Sequence, residues 1–174
     1  FAYEHYEVDA DFVCCGKGIS GSLPLSAVLG RADLIDLDNQ YTSTHGGHPI
    51  ACAAGLANIK FFKSNNLIKL SLLNQSIFEK HLLTLQKDLP NRIGSIYGKG
   101  SLFGVFILKK NPKNQLDVDV EMANKIVDDC LNEGVFSIKT GRGTLKFGPP
   151  LNISKNALEE ALKIIVNVVQ KNLS

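Results

Sequence analysis

Residues 14–31 read CCGKGISGSLPLSAVLGR, and the fold turns on how the lysine in their midst is understood. Lys17 stands between Gly16 and Gly18 at the end of an apolar run, where the chain must turn sharply. On its N-terminal side Phe12 to Cys15 has the composition of a short strand. On its C-terminal side Leu23 to Leu29 (LPLSAVL) reads as a second strand, with Ser20, Gly21 and Ser22 as the turn. Two strands are therefore expected to flank the lysine. A nucleophilic lysine needs its amine partly deprotonated, and burial against an apolar sheet promotes this by disfavouring the ammonium. Flanking glycines would leave room for a bulky planar group against the backbone. A surface lysine in a glycine turn has the same local sequence, so the neighbouring segments must discriminate.

After the connection ADLIDLDNQ comes STHGGHP (43–49), then IACAAGLANIKFFK (50–63), where Ile50, Ala53, Ala54, Ala57 and Phe61 fall at helical spacing. Pro49 suits the first helical position, since its missing N–H would be unpaired there in any case. The small residues Ala51, Cys52, Ala53, Ala54, Gly55 and Ala57 allow a close approach to this helix. His45 and His48 are three apart, but no acidic or cysteine ligand lies nearby in sequence, and no metal site is expected. The hydroxyls of Ser43 and Thr44, with the N–H groups opening the helix and its dipole, can bind a phosphate; plain helix capping is the alternative. A reactive lysine and a phosphate-binding turn together suit an aldehyde cofactor with a phosphate tail, which is pyridoxal 5′-phosphate.

Asn65 and Asn66 interrupt the pattern. An amphipathic helix follows from about Leu67 to Leu89, with Phe78, Leu82, Leu85 and Leu89 on one stripe, and Pro90 ends it. The remainder reads as α+β: a strand through SLFGVFIL (101–108), a polar turn NPKNQ, and a helix with Ala123, Ile126, Val127, Cys130 and Leu131 inward, stopped by Gly134. Strands at VFSIK (135–139) and TLKFG (144–148) follow. The last helix is capped by Ser154, with Leu158, Ala161, Leu162, Ile165 and Val169 buried. GKGSLFG (98–104) has three glycines, but a dinucleotide fingerprint needs the third glycine one residue earlier and a helix after the loop. A turn before a strand is the reading adopted.

Composition bounds the function. The chain has 174 residues, 44% hydrophobic and 21% charged, with a net charge of +2, as in globular proteins of one or two domains. The charge is too small and scattered for a nucleic-acid or membrane surface, and no apolar run reaches the roughly 18 residues of a span. A cytoplasmic protein is expected. The cysteines, Cys14, Cys15, Cys52 and Cys130, lack zinc or disulfide spacing and are expected to be reduced and mostly buried. The chain begins at Phe1 and its single methionine is Met122, so it reads as a processed product or a piece of something longer.

Three segments in order, DFVCCGKGISGSLPLSAVLGR, STHGGHPIACAAGLA and GVFSIKTGRGTLKFGPPLNIS, resemble the class III pyridoxal-phosphate-dependent aminotransferases, the ornithine, acetylornithine and 4-aminobutyrate group of fold type I. The resemblance covers essentially the whole chain. It implies an α/β fold, with residues 1–65 ending the large cofactor-binding domain and residues 66–174 forming a linker helix and a small α+β C-terminal domain. It implies that Lys17 is the Schiff-base lysine and carries protons between the substrate α-carbon and the cofactor C4′. Ser43 belongs to the cofactor-binding turn, and Thr44 matches a threonine that bonds the cofactor phosphate of the neighbouring subunit, which makes the expected assembly a homodimer.

The family's upstream phosphate loop, ring-stacking aromatic and ring-nitrogen aspartate match nothing here, since Glu4, Glu7, Asp9 and Asp11 do not fit that role. The chain is therefore expected to be the C-terminal part of a longer enzyme and inactive alone. Where the family often has an arginine that forks onto a substrate carboxylate, this sequence has Lys146, a point charge; Arg142 is near enough in sequence to substitute. His48 replaces a common asparagine. The implied reaction transfers an amino group from an amine or amino acid donor to a keto acid. An aminomutase or decarboxylase of the same fold, or a non-catalytic dimerisation fragment, is the alternative.

Overall fold

Pro24 has no N–H to give to a ladder, and the strand expected from Leu23 forms only further on. In the computed structural model, which describes residues 1–37 and 43–174, β1 (Phe12–Cys15) pairs antiparallel with β2 (Ala27–Gly30), Phe12 opposite Gly30 and Cys15 opposite Ala27. The chain divides into two compact units, Phe1–Asn66 and Leu67–Ser174.

In the first unit, 3₁₀ turns occupy Ala2–Tyr6 and Lys17–Ile19, and β2 leads into the single-turn helix α1 (Ala32–Ile35). Residues 38–40 of the ADLIDLDNQ connection lie outside the described residues. Helix α2 (Pro49–Ser64) starts at the proline as expected. Its buried face is not the expected one. Ile50, Ala53, Ala57 and Phe61 are exposed, while Ala51 and Gly55 are buried and Asn58 and Phe62 half-buried, a row at the same helical spacing turned about one residue. The reason is Leu25: a Cβ on Gly55 would stand 2.7 Å from its Cδ2, so α2 turns its bare backbone to the segment after Lys17. The close approach expected from the small residues is made there.

The second unit opens with α3 (Leu67–Asp88), which buries Leu67, Asn74, Phe78, Leu82 and Leu85. Asn66 stands at φ 52° between α2 and α3, a conformation asparagine tolerates better than most residues. The sheet that follows has the order β3-β4-β6-β5, every pair antiparallel, from β3 (Ile93–Lys99), β4 (Leu102–Ile107), β5 (Ile138–Thr140) and β6 (Thr144–Phe147). Two expectations need correction. Strand β3 was not anticipated, because its glycines read as turn residues. Strand β5 begins at Ile138 rather than Val135, since Gly134, at φ 86°, ends the preceding helix and residues 135–137 complete the turn. GKGSLFG is a turn before a strand: Lys99 pairs with Leu102 around Gly100, which has φ 61°.

Helix α4 (Val120–Asn132) is capped by Asp119, whose carboxylate accepts from the Met122 amide at 2.9 Å. It buries Ala123, Ile126 and Cys130, but leaves Leu131 54% exposed, because a residue adjacent to Cys130 lies about 100° further round the helix. Helix α5 (Lys155–Leu173) has Ser154 as its cap, accepting from the Ala157 amide at 3.2 Å. Leu158, Leu162, Ile165, Val168 and Val169 of α5 join one core with Phe78, Leu82, Phe103, Val105, Ile126 and Leu145. Phe78 is stacked between Phe103 and Phe147, with centroids 4.8 and 6.2 Å away. Buried Asn74 is satisfied by the Ser101 hydroxyl at 3.1 Å and the Leu151 carbonyl at 3.4 Å. No helix among the described residues is long and apolar enough to cross a membrane.

Candidate active site

Where β1 ends, Gly16 is fully extended and Lys17 turns into the left-handed region at φ 50°, a conformation that costs a side-chain-bearing residue of order 1–3 kcal/mol. Lysine pays for this nowhere locally, so the turn must be held by its surroundings. It is. The Ile19 amide donates to the Gly16 carbonyl at 3.2 Å, the Gly21 amide to the Gly18 carbonyl at 3.3 Å, and the buried Ser20 hydroxyl to the Leu23 carbonyl. From α2 the Asn58 side-chain amide donates to the Gly18 carbonyl at 2.7 Å and to the Ile19 carbonyl at 3.2 Å.

Within this chain Lys17 is exposed, as are most side chains of the β1–β2 pair. The cysteines are not mostly buried as expected: Cys14 and Cys52 are exposed, Cys15 is half-buried and Cys130 alone is buried, all four as free thiols. Desolvation, reinforced by the Asp129 carboxylate, pushes the Cys130 thiol up to about 11. The space beside the lysine is open. No atom among the described residues, chain neighbours apart, lies within 4 Å of where a Cβ on Gly16 or Gly18 would stand. A planar group attached to the Lys17 amine could lie against this backbone.

Ser43 and Thr44 lie in a run of turns that feeds α2, with the Gly46 amide donating to the Ser43 carbonyl at 2.9 Å and the His48 amide to the His45 carbonyl at 3.3 Å. Both residues are exposed. His48 is the N-cap of α2, yet its side chain makes no bond to the helix amides, so capping is not what this residue supplies. Gly47, at φ 67°, gives the left-handed step that brings the turn onto the helix. Lysine and hydroxyls thus sit on the two segments of the first unit that α2 connects.

Lys146 and Arg142 belong to the second unit and share the β5–β6 hairpin. Arg142 is at its exposed tip, its amide donating to the Thr140 hydroxyl at 3.3 Å. Lys146 lies in β6 between Gly104 of β4 and Ile138 of β5, its side chain on the sheet face opposite buried Leu145 and Phe147. Both cations are exposed, and the bare Gly104 leaves the surface beside Lys146 low. Asn58 went unrecognised in the sequence. The signal available was one amide in an otherwise small and apolar stretch, one helical turn after Gly55.

A strained lysine turn on a strand pair, followed by a hydroxyl-bearing turn and a helix, and then by a four-stranded sheet packed on three helices, defines a partial α/β fold of the aminotransferase kind. The chain belongs to the class III aminotransferases, whose family model matches residues 1–169. It is 33% identical over 173 residues to a 4-aminobutyrate aminotransferase of Mycobacterium leprae, covering 97% of this chain and 38% of that protein. It is 31% identical over 172 residues to an acetylornithine aminotransferase of Caldanaerobacter subterraneus subsp. tengcongensis, covering 98% of this chain and 41% of that one. Among solved structures, an S-selective transaminase from Arthrobacter sp. with alanine bound superposes with a TM-score of 0.86 at 28% identity, over all of this chain and 41% of that one. The chain therefore spans about two-fifths of the length of the relatives it matches. Enzymes of this class use pyridoxal phosphate and exchange amino groups between amino and keto acids.

Proposed function

We propose that the protein containing this chain is a pyridoxal-phosphate-dependent aminotransferase whose covalent cofactor anchor is Lys17. The observation that carries the reading is Lys17 itself, held on a left-handed turn between two glycines with open space beside both. The Lys17 amine would hold the cofactor aldehyde carbon and, once the substrate's amino group has displaced it there, would move a proton between the substrate α-carbon and the cofactor C4′. The hydroxyls of Ser43 and Thr44 would hold the phosphate, assisted by the positive end of the α2 dipole. When bound, the cofactor supplies the electron sink for charge developing at the α-carbon.

On this reading residues 1–65 end the large cofactor-binding domain, and residues 66–174 supply the linker helix and the small domain. The donor is an amine or amino acid and the acceptor a keto acid. Lys146, with Arg142 on the same hairpin, offers positive charge for a carboxylate, but no forked pair at the position of Lys146. The working assembly is a homodimer in which the Thr44 turn serves the phosphate of the partner's site; the exposure of that turn supports this.

Borohydride reduction of the full-length protein loaded with pyridoxal phosphate, followed by peptide mapping, tests the reading. A reduced adduct on the Lys17 peptide is expected. Its absence overturns the catalytic assignment.

A further inference from the structure

Lys17 occupies a backbone conformation that lysine disfavours, and the turn that contains it is a single 3₁₀ turn with few bonds of its own. We infer that Asn58 is the positioning residue that sets the direction of Lys17, by clamping the two carbonyls that follow it to helix α2. The inference rests on the cofactor role proposed for Lys17.

The geometry suits a clamp. One side-chain amide nitrogen, which carries two N–H donors, lies within bonding distance of the consecutive carbonyls of Gly18 at 2.7 Å and Ile19 at 3.2 Å. The Gly18 carbonyl also accepts the Ser20 amide and the Gly21 amide, the latter at 3.3 Å, and Asn58 adds a tie from outside the turn to the peptide immediately after the lysine's neighbour. The Asn58 Oδ1 points towards Gly21, 3.7 Å from where a Cβ would stand there, and Gly21 has φ 79°. A side chain at Gly21 would crowd the clamp as well as strain the turn. Gly55, one helical turn before Asn58, lets α2 come close enough, with the Ile19 carbonyl 3.7 Å from its would-be Cβ. No hydrogen bond among the described residues joins the Lys17 side chain itself to Asn58, so the amide acts through the backbone and not on the chemistry.

Removing the clamp frees the 18–19 peptides and lets Lys17 relax towards the right-handed or extended regions, which redirects its side chain. The test compares the full-length protein with its Asn58→Leu and Asn58→Asp variants. Asn58→Leu deletes both donors at similar size, and Asn58→Asp turns two donors into acceptors facing two carbonyls. The first readout needs no cofactor: competitive acetylation of Lys17 measured against Lys60, an exposed lysine on α2 itself. The second is the rate at which pyridoxal phosphate becomes reducible onto Lys17.

We expect the Lys17-to-Lys60 labelling ratio to change several-fold and attachment to slow roughly tenfold, the effect of losing two neutral hydrogen bonds. Asn58→Asp should show the larger change. Should Asn58→Leu fail to fold, the near-isosteric Asn58→Asp carries the comparison. An unchanged ratio in the folded variants overturns the inference. A wild-type protein that forms no adduct on Lys17 overturns the cofactor reading instead, while the labelling ratio still decides the role of Asn58. Loosening of α2 as a whole would move Lys60 together with Lys17 and leave their ratio unaltered, which also counts against the clamp.

Discussion

The two units of this chain are built on different principles. Leu67–Ser174 buries its apolar side chains in one cluster, in which Phe78, Leu82, Ile107, Ile126, Leu162 and Val169 are each at most 1% exposed. In Phe1–Asn66, Ala51 is the only buried apolar side chain among the described residues. Phe12, Val28, Leu29, Leu56, Ile59 and Phe61 are between 45% and 55% exposed. Hydrophobic burial is the main favourable term in folding, so the second unit is the one that stabilises itself. The first unit is held by a strand pair, a helix and side-chain clamps, and it carries Lys17, Ser43 and Thr44. On the proposed reading, the cofactor anchor belongs to the unit with the fewer buried apolar side chains among the described residues.

The sharpest way to break that contrast is Lys17→Ala in the full-length protein. Transaminase activity should fall by at least about 10³-fold, since on the proposed reading both the covalent anchor and the proton carrier go, while the urea midpoint of the second unit stays put. A matching loss of stability would place the lysine in the structure rather than the chemistry. Next in size, Phe78→Ala removes the ring stacked between Phe103 and Phe147 and should cost about 3–5 kcal/mol in urea denaturation of this chain.

Thiol reactivity separates the units directly. At pH 8, iodoacetamide should modify the exposed Cys14 and Cys52 well before Cys130, whose burial both blocks access and pushes its thiol up to about 11. The unfolded thiol ionises first, so the contribution of neutral buried Cys130 is complete below about pH 9 and is lost as the pH climbs towards 11.

A smaller effect is expected from Gly98→Ala. Its Cβ would fall 2.4 Å from the Phe103 ring, and the resulting shift should destabilise the second unit by about 1–3 kcal/mol, read from the thermal midpoint. Smallest of all, Phe61→Ala on the open face of α2 should alter the stability of this chain by no more than about 0.5 kcal/mol. A large loss there would reveal a core in the first unit.

Much of the fold is legible without coordinates. Pro49 and Asn65 bracket α2, Pro90 follows α3, and Asp119 and Ser154 cap their helices, because start and stop signals are local and act through a few backbone groups. Strand β3 escaped notice because Gly94, Gly98 and Gly100 look like punctuation in one dimension. Only across the hairpin does Gly98 prove to be the space beneath Phe103. The same holds for α2, whose residues are small or apolar all round, so periodicity cannot say which row turns inward; Leu25 and the Lys17 turn decide it.

The candidate site divides in the same manner. Lys17, Ser43 and Thr44 can be singled out from residue type and neighbours, since glycines beside a lysine and hydroxyls before a helix have chemical meaning wherever they occur. The left-handed conformation of Lys17, its exposure on a bare strand pair, and the two bonds from Asn58, 39 and 40 residues along the chain, belong to tertiary structure. Amino-acid sequence by itself determined the ends of the helices, the family and the choice of Lys17 as the proposed anchor, because each depends on short-range chemistry. Which helix face is buried, and what holds the lysine in its turn, depended on segments distant in sequence meeting at hydrogen-bonding distance.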